Sequence, residues 1–292
     1  MNRHLGLFLI TVVTTTVVGA DHYSKFHSAF TPGLVLPWWR LAVGGLFFSV
    51  PFLGFLTAHE FGHYGMARWH GLRPSLPYYL PAPLPLTGSL GAVIIFRGHF
   101  PNRRVLFDFA AGGPIAGFVV ALAASAIGLH WSPVVRVQGL EGTLLADPLL
   151  FGWLGNLVIG PVRDGYTVSL HPTALAGWLG LLFTMMNLVP ISQLDGGHIA
   201  YAAIRRHSRW FTLAGLAMLA FFIVWWQAYS WVVWVVVLVV IIRIVGWEHP
   251  ASLDDDLPLD PVRIAVAVLL IAIFAVCFMP VPISPIELIG GR

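Results

Sequence analysis

Residues 41–71 read LAVGGLFFSVPFLGFLTAHEFGHYGMARWHG. The run is long and apolar enough for a spanning helix, which needs about 20 such residues. It nevertheless carries His59, Glu60 and His63 near its end. Ionisable groups inside a membrane segment are costly, and they mark function by default. Positions i and i+4 share one face of a helix, so both imidazoles can reach a single ion. Zinc takes such nitrogen ligands, and a glutamate between them can act as general base on a water. Gly71 supplies the helix stop. The competing reading is two buried histidines beside a chance glutamate; the cost of burying all three in lipid argues against it.

The rest of the chain agrees with a membrane setting. Of 292 residues, 58% are hydrophobic and only 10% are charged. A soluble domain carries about 25% charged residues, so this chain cannot cover a water-facing surface. A soluble globular enzyme and a disordered chain are both excluded. The formal charge of +3 gives no reason to expect nucleic acid as a partner. The single cysteine, Cys277, rules out an intrachain disulfide and a thiolate metal cluster.

The hydropathy pattern predicts an all-α polytopic membrane protein with about six or seven transmembrane helices. Spans are expected at about 5–20, 41–71, 105–129, 172–188, two within 209–247, and 262–279. Val18-Gly19-Ala20 could mimic a signal-peptide cleavage site, but a retained first span is favoured. A turn is expected near 227–230, where Trp225, Trp226, Trp231 and Trp234 gather at headgroup level. Three regions follow: residues 1–40 as an N-terminal span with its outer loop, 41–198 as a catalytic core, and 199–292 as C-terminal helices.

Arginine in the loops orients this set. Arg68, Arg73, Arg97, Arg103 and Arg104 fall in one loop, and Arg205, Arg206 and Arg209 in another. The stretch 130–171 is mixed, with Arg136, Glu141, Asp147, Arg163 and Asp164. Basic loops stay inside, so the N-terminus and the active-site loops are expected on the cytoplasmic side, with the cell membrane as location. The acidic run Asp254-Asp255-Asp256 is expected to be a solvated inner loop.

Between the second and third spans, Pro74, Pro77, Pro81, Pro83 and Pro85 exclude a helix. The following stretch, residues 88–97, reads as a β-strand bounded by glycine. Its backbone needs a partner, which could be the helix bundle, the membrane interface, a second strand or a bound peptide.

A catalytic zinc wants a third protein ligand. Asp195 is the best candidate, because it lies at the inner end of the fourth span, at the depth expected for His59 and His63. Pro190 should break that helix, and Gly196-Gly197 should let the backbone bend so that Asp195 turns inward. An Asp-Gly-Gly at a helix end is otherwise often a plain turn. Gly112, Gly113 and Gly117 read as a helix-packing face. Asp108 follows Arg104 by four residues and is expected to pair with it. His171 is placed on the outer side, away from any metal, and His70 and His99 on the surface.

His59-Glu60-Phe61-Gly62-His63, taken with Asn187-Leu188-Val189-Pro190 and Leu194-Asp195-Gly196-Gly197, resembles the site-two protease family of intramembrane zinc metalloproteases. The resemblance covers about residues 41–198 and fits a compact branch without an evident PDZ domain. It implies one Zn²⁺ held by His59, His63 and Asp195, with Glu60 activating water. It also implies Asn187 as a donor to the oxyanion. His198 departs from the core motif; it either caps the turn or supports Asp195.

The expected activity is hydrolysis of peptide bonds within or near the transmembrane segments of membrane proteins. A substrate helix must unwind, and its freed backbone groups need partners. Ser89, Leu90, Gly91, Ala92 and Val93 are placed to supply them as a strand edge. The lipid bilayer and a membrane-protein substrate are the expected partners, with a separate regulatory membrane protein possible because residues 130–171 are too few for a filtering domain. A metal-ion transporter and a silent membrane scaffold stay open as alternatives.

Overall fold

The computed structural model describes residues 3–31, 33–136, 143–246, 252–254 and 256–285. Glu141, Trp247 and Asp255 lie outside the described residues. The chain divides into two compact units. The first comprises Met1–Arg97, Ile115–Val137 and Trp153–Leu181; the second comprises Gly98–Pro114, Gln138–Gly152 and Leu182–Arg292.

The helices are α1 (Arg3–Ser28), α2 (Trp38–Trp69), α3 (Arg103–His130), α4 (Leu149–Val158), α5 (Pro172–Leu188), α6 (Asp195–Ile204), α7 (Ser208–Trp225), α8 (Ser230–Val245) and α9 (Pro261–Cys277). The strands are β1 (Tyr78–Pro81), β2 (Ser89–Val93), β3 (Val134–Arg136), β4 (Thr143–Leu145), β5 (Tyr166–Val168) and β6 (Ile283–Pro285). They form three antiparallel pairs, β1–β2, β3–β5 and β4–β6.

Each expected span has its helix. Among the described residues, α1, α2, α3 and α7 are long and apolar enough to cross a membrane. The others are shorter: α5 and α9 have 17 residues and α8 has 16. At 1.5 Å per residue these reach about 25 Å, short of a 30 Å hydrocarbon core. The turn expected near 227–230 separates α7 from α8, with Gln227 at φ 52°. The Trp231 indole N–H there donates to the Pro280 carbonyl at 2.7 Å.

In the first unit α1 and α2 meet through glycine. A Cβ on Gly19 would lie 2.3 Å from the Gly45 carbonyl oxygen, and one on Gly45 would lie 2.3 Å from that of Thr16. Lipid offers no hydrophobic drive for helices to associate, so close backbone approach and interhelical hydrogen bonds carry the contact. Thr15 Oγ1 and Ser49 Oγ, 2.7 Å apart and both buried, make one such bond.

The proline-rich loop is not a surface excursion. Its strand pairs with β1, which ends on Pro81 and has no alternating signal to betray it. The hairpin runs beside α1. His4 Nδ1 lies 3.0 Å from the Pro77 carbonyl, and His22 Nε2 lies 3.0 Å from that of Leu86. Gly88, at φ +69°, sits where a Cβ would strike the Thr14 carbonyl at 2.6 Å. The 18 residues from His4 to His22 span about 27 Å of helix, so the hairpin follows nearly a membrane's thickness. Pairing satisfies the facing edges of β1 and β2, as expected of polar backbone in an apolar setting.

In the second unit, residues 253–254 lie along 100–102. Leu253 N–H donates to the Phe100 carbonyl and Asp254 N–H to that of Pro101, each at 3.0 Å. The Arg104–Asp108 pair expected from sequence is replaced by partners distant in the chain. Arg263 Nε donates to Asp108 at 2.8 Å across 155 positions, and Arg104 Nε donates to the Pro258 carbonyl at 2.7 Å. Asp254 and Asp256 are exposed, as a solvated acidic run should be.

Candidate metal centre

His59, Glu60 and His63 sit in the C-terminal half of α2 and are all buried, at 5, 6 and 5% exposure. The helix is unbroken through them, so the i, i+4 spacing sets the geometry directly. The two imidazole planes are 79° apart, and their Nε2 atoms approach to 3.1 Å. Two nitrogens bound tetrahedrally to one zinc at 2.0–2.1 Å would stand about 3.3–3.4 Å apart. The Nε2 separation of the histidine pair is thus within about 0.3 Å of what a shared zinc requires. Phe61, within the same motif, is 45% exposed and faces away.

The bed beneath His59 is glycine and phenylalanine. A Cβ at Gly117 of α3 would lie 2.9 Å from Phe55 Cε2 and 3.2 and 3.3 Å from His59 Cβ and Nδ1. One at Gly180 of α5 would lie 3.2 Å from Phe55 Cδ2. Phe55, 2% exposed, thus sits between two glycines and backs the His59 ring at a centroid distance of 6.1 Å. Gly117 reads in the sequence as a generic packing residue beside Gly112 and Gly113; the structure gives it the floor of the histidine site. No local pattern separates it from its neighbours. One turn before the site's glutamate, Thr57 Oγ1 lies 2.7 Å from the Tyr79 hydroxyl and ties α2 to β1.

Asn187 and Asp195, both half-buried, flank the connection between α5 and α6. Helix α5 stops at Leu188, two residues before Pro190. A tight path follows, with Ile191 N–H donating to the Val189 carbonyl at 2.7 Å and Ser192 at φ 46°. Asp195 is the first residue of α6, where the helix dipole favours a negative charge. Gly196 and Gly197 do not bend the chain as expected, because they lie within the first turn of α6. They are needed for space: a Cβ would fall 2.1 Å from the Leu188 carbonyl oxygen and 2.0 Å from that of Ser192. The His198 backbone N–H donates to the Leu194 carbonyl at 2.9 Å, and its ring lies 6.4 Å from that of Phe109.

Ser89–Val93 form β2, paired with β1 in the register Tyr78↔Val93, Tyr79↔Ala92 and Pro81↔Ser89. Ser89 Oγ donates to the Leu80 carbonyl at 2.9 Å and accepts from Gly91 N–H at 3.0 Å, which pins the start of the strand. His171 packs its ring among Phe26, Phe47 and Trp131, at centroid distances of 5.2–5.3 Å. His99 is exposed and His70, the C-cap of α2, is half-buried.

Comparison with known proteins gives the same reading over more of the chain. Residues 47–225 match the model of peptidase family M50, a stretch that runs from within α2 through β2, α5 and α6 to the end of α7 and exceeds half the chain. A protein described as "Probable zinc metalloprotease EGY1, chloroplastic" from Arabidopsis thaliana is 32% identical over 53% of this chain and 29% of its own length. "Probable zinc metalloprotease EGY2, chloroplastic" from Oryza sativa subsp. indica is 32% identical over 56% of this chain and 30% of its own. "Probable zinc metalloprotease EGY3, chloroplastic" from the same rice is 30% identical over 53% and 28%. The matched region is thus under a third of the length of each of these relatives. With the paired imidazoles, the glutamate between them and the Leu-Asp-Gly helix start all inside the matched stretch, the chain belongs to peptidase family M50, the site-two protease family.

Proposed function

We propose that this chain is an intramembrane zinc metalloprotease that hydrolyses peptide bonds within or near the transmembrane segments of membrane proteins. The observation that carries the reading is the pair of Nε2 atoms 3.1 Å apart on α2, buried beside Glu60. The ion is proposed to be held by His59, His63 and Asp195, a group of one carboxylate and two imidazoles that each offer one ligand atom. Two nitrogens and one oxygen suit zinc. When bound, zinc would supply Lewis acidity, polarising the scissile carbonyl and lowering the pKa of water.

The residues of the chain do the remainder. Glu60 takes a proton from the attacking water on its carboxylate and later hands it to the leaving amine. Asn187 donates to the oxyanion that develops on the scissile carbonyl. Ser89, Leu90, Gly91, Ala92 and Val93 offer a strand edge to an unwound substrate. The position of the hairpin beside a membrane-length helix supports that role, because a substrate's freed backbone needs partners at that depth. The arginine-rich loops favour a cytoplasmic N-terminus and active-site side, in the cell membrane. Residues 41–198 are the proposed catalytic core, and a separate membrane protein is the proposed means of regulation.

The test is Glu60→Gln in the purified chain with a membrane-protein substrate. Zinc content should match that of the wild type, and cleavage should vanish. Cleavage that persists would remove Glu60 as the base.

A further inference from the structure

Among the described residues, Arg103 is the one arginine or lysine that is buried, at 5% exposure. Taking a guanidinium out of water costs several kcal/mol unless it is well paired, so its position needs a reason. Its Nη1 donates to the Ala202 carbonyl at 2.9 Å, across 99 positions of chain. Ala202 lies in the last turn of α6, the ten-residue helix that begins with Asp195.

The last four carbonyls of a helix lack partners within it. Helix α6 has no glycine at its end to wrap the chain back on itself, the usual remedy. It ends instead on Arg205 at φ 55°, whose N–H returns to the Tyr201 carbonyl. That φ is rare for a side-chain-bearing residue. The next carbonyl, that of Ala202, is taken by Arg103. A cation at that end also suits the helix dipole. At the other end, Gly196 and Gly197 lie against the Leu188 and Ser192 carbonyls with no room for a Cβ. The helix is therefore fixed at both ends, and Arg103 makes the fixed point far from Asp195.

Seven residues separate Ala202 from Asp195, about 10 Å along the axis. A tilt of about 5° about one end would displace the other by about 0.9 Å, against a tolerance of about 0.2 Å in a metal–ligand distance. We infer that Arg103 is a positioning residue for the metal centre: by holding the Ala202 carbonyl in the last turn of α6 it sets where the Asp195 carboxylate stands. The inference rests on the reading of Asp195 as third ligand. A second tie on the same helix end, Arg205 Nη2 to Asp256 at 2.8 Å, serves as internal control. Its side chains are 41 and 96% exposed, and such pairs contribute little.

The experiment measures zinc affinity by chelator competition on the full chain in detergent. Wild type is compared with Arg103→Met, Arg103→Lys, Arg205→Ala and Asp195→Ala, and the thermal stability of each zinc-free protein is recorded. Arg103→Met should weaken zinc by about tenfold or more, the lower bound typical of lost support for a ligand. Arg103→Lys keeps a donor and should fall between Arg103→Met and wild type. Arg205→Ala should stay within about twofold of wild type. A purely structural arginine would lower zinc-free stability and leave zinc affinity alone, which would overturn the inference. Arg205→Ala weakening zinc as much as Arg103→Met would also overturn it. Should Arg103→Met fail to accumulate, Arg103→Lys decides, and wild-type affinity in it counts against the proposal. Undiminished zinc binding by Asp195→Ala would instead sink the three-ligand reading, an outcome distinct from any change at Arg103.

Discussion

Gly117→Ala should act on the metal centre without touching a ligand. The added methyl would lie 2.9 Å from Phe55 Cε2 and 3.2 Å from His59 Cβ, where carbon atoms at ease stand about 3.5–4.0 Å apart. The overlap is roughly 0.6 Å with the ring and 0.3 Å with the histidine. Phe55 has little room to retreat, since the ring is 2% exposed and Gly180 of α5 lies against the adjoining Cδ2 atom. The His59 ring, whose Nδ1 would lie 3.3 Å from the methyl, should yield by turning about its side-chain torsions. Overpacking of this kind costs about 1–3 kcal/mol, and its lower half corresponds to about a 5–30-fold change in an equilibrium constant. The variant should therefore show both a lower melting temperature in detergent and zinc affinity reduced about 5–30-fold. Phe55→Leu in the same chain removes ring atoms from the contact and should restore most of the zinc affinity. Wild-type affinity and melting in Gly117→Ala would refute the argument that this glycine sets the His59 position.

Proline at Leu90 or Ala92 should cut proteolysis and leave zinc content unchanged; full cleavage in both would discard the strand-edge role of β2. Stripping zinc with a chelator should lower the melting temperature, because a ligand at 100 times its Kd adds about 2.7 kcal/mol; an unchanged melting temperature would speak against a site formed in the folded state. At the far side of the first unit, burial first and then the neighbouring His27 push the His171 imidazole down to about 4 from its usual 6.5. Between those values the unfolded chain takes up a proton that the folded one refuses, so stability falls as pH drops from about 6.5 to 4 and levels off below. His171→Gln should flatten that slope in thermal unfolding, and an equal slope in both proteins would contradict the burial effect.

The membrane class and the histidine pair were legible because both depend on local chain properties. Apolar length decides whether a segment can cross lipid, and helix periodicity alone turns His59 and His63 to one side. The helices α2, α3 and α5 accordingly fall within a few residues of the expected spans. β1 was not legible, since its four residues end on proline and carry no alternation. The proposed bend at Gly196-Gly197 was wrong for a related reason: glycine signals freedom or lack of space equally well, and only the carbonyls 2.0–2.1 Å from the missing Cβ atoms tell which applies.

The sequence by itself determined a membrane-embedded helical chain, its imidazole pair, the glutamate between them and the Leu-Asp-Gly segment. Tertiary structure alone decided that the proline-rich loop lies along α1, that Gly117 and Phe55 bed His59, and that Asp108 takes Arg263 rather than Arg104. The division follows from the range of the forces. Burial and helix periodicity act within a few residues of chain, whereas steric fit and ion pairing depend on which distant segments the fold brings together.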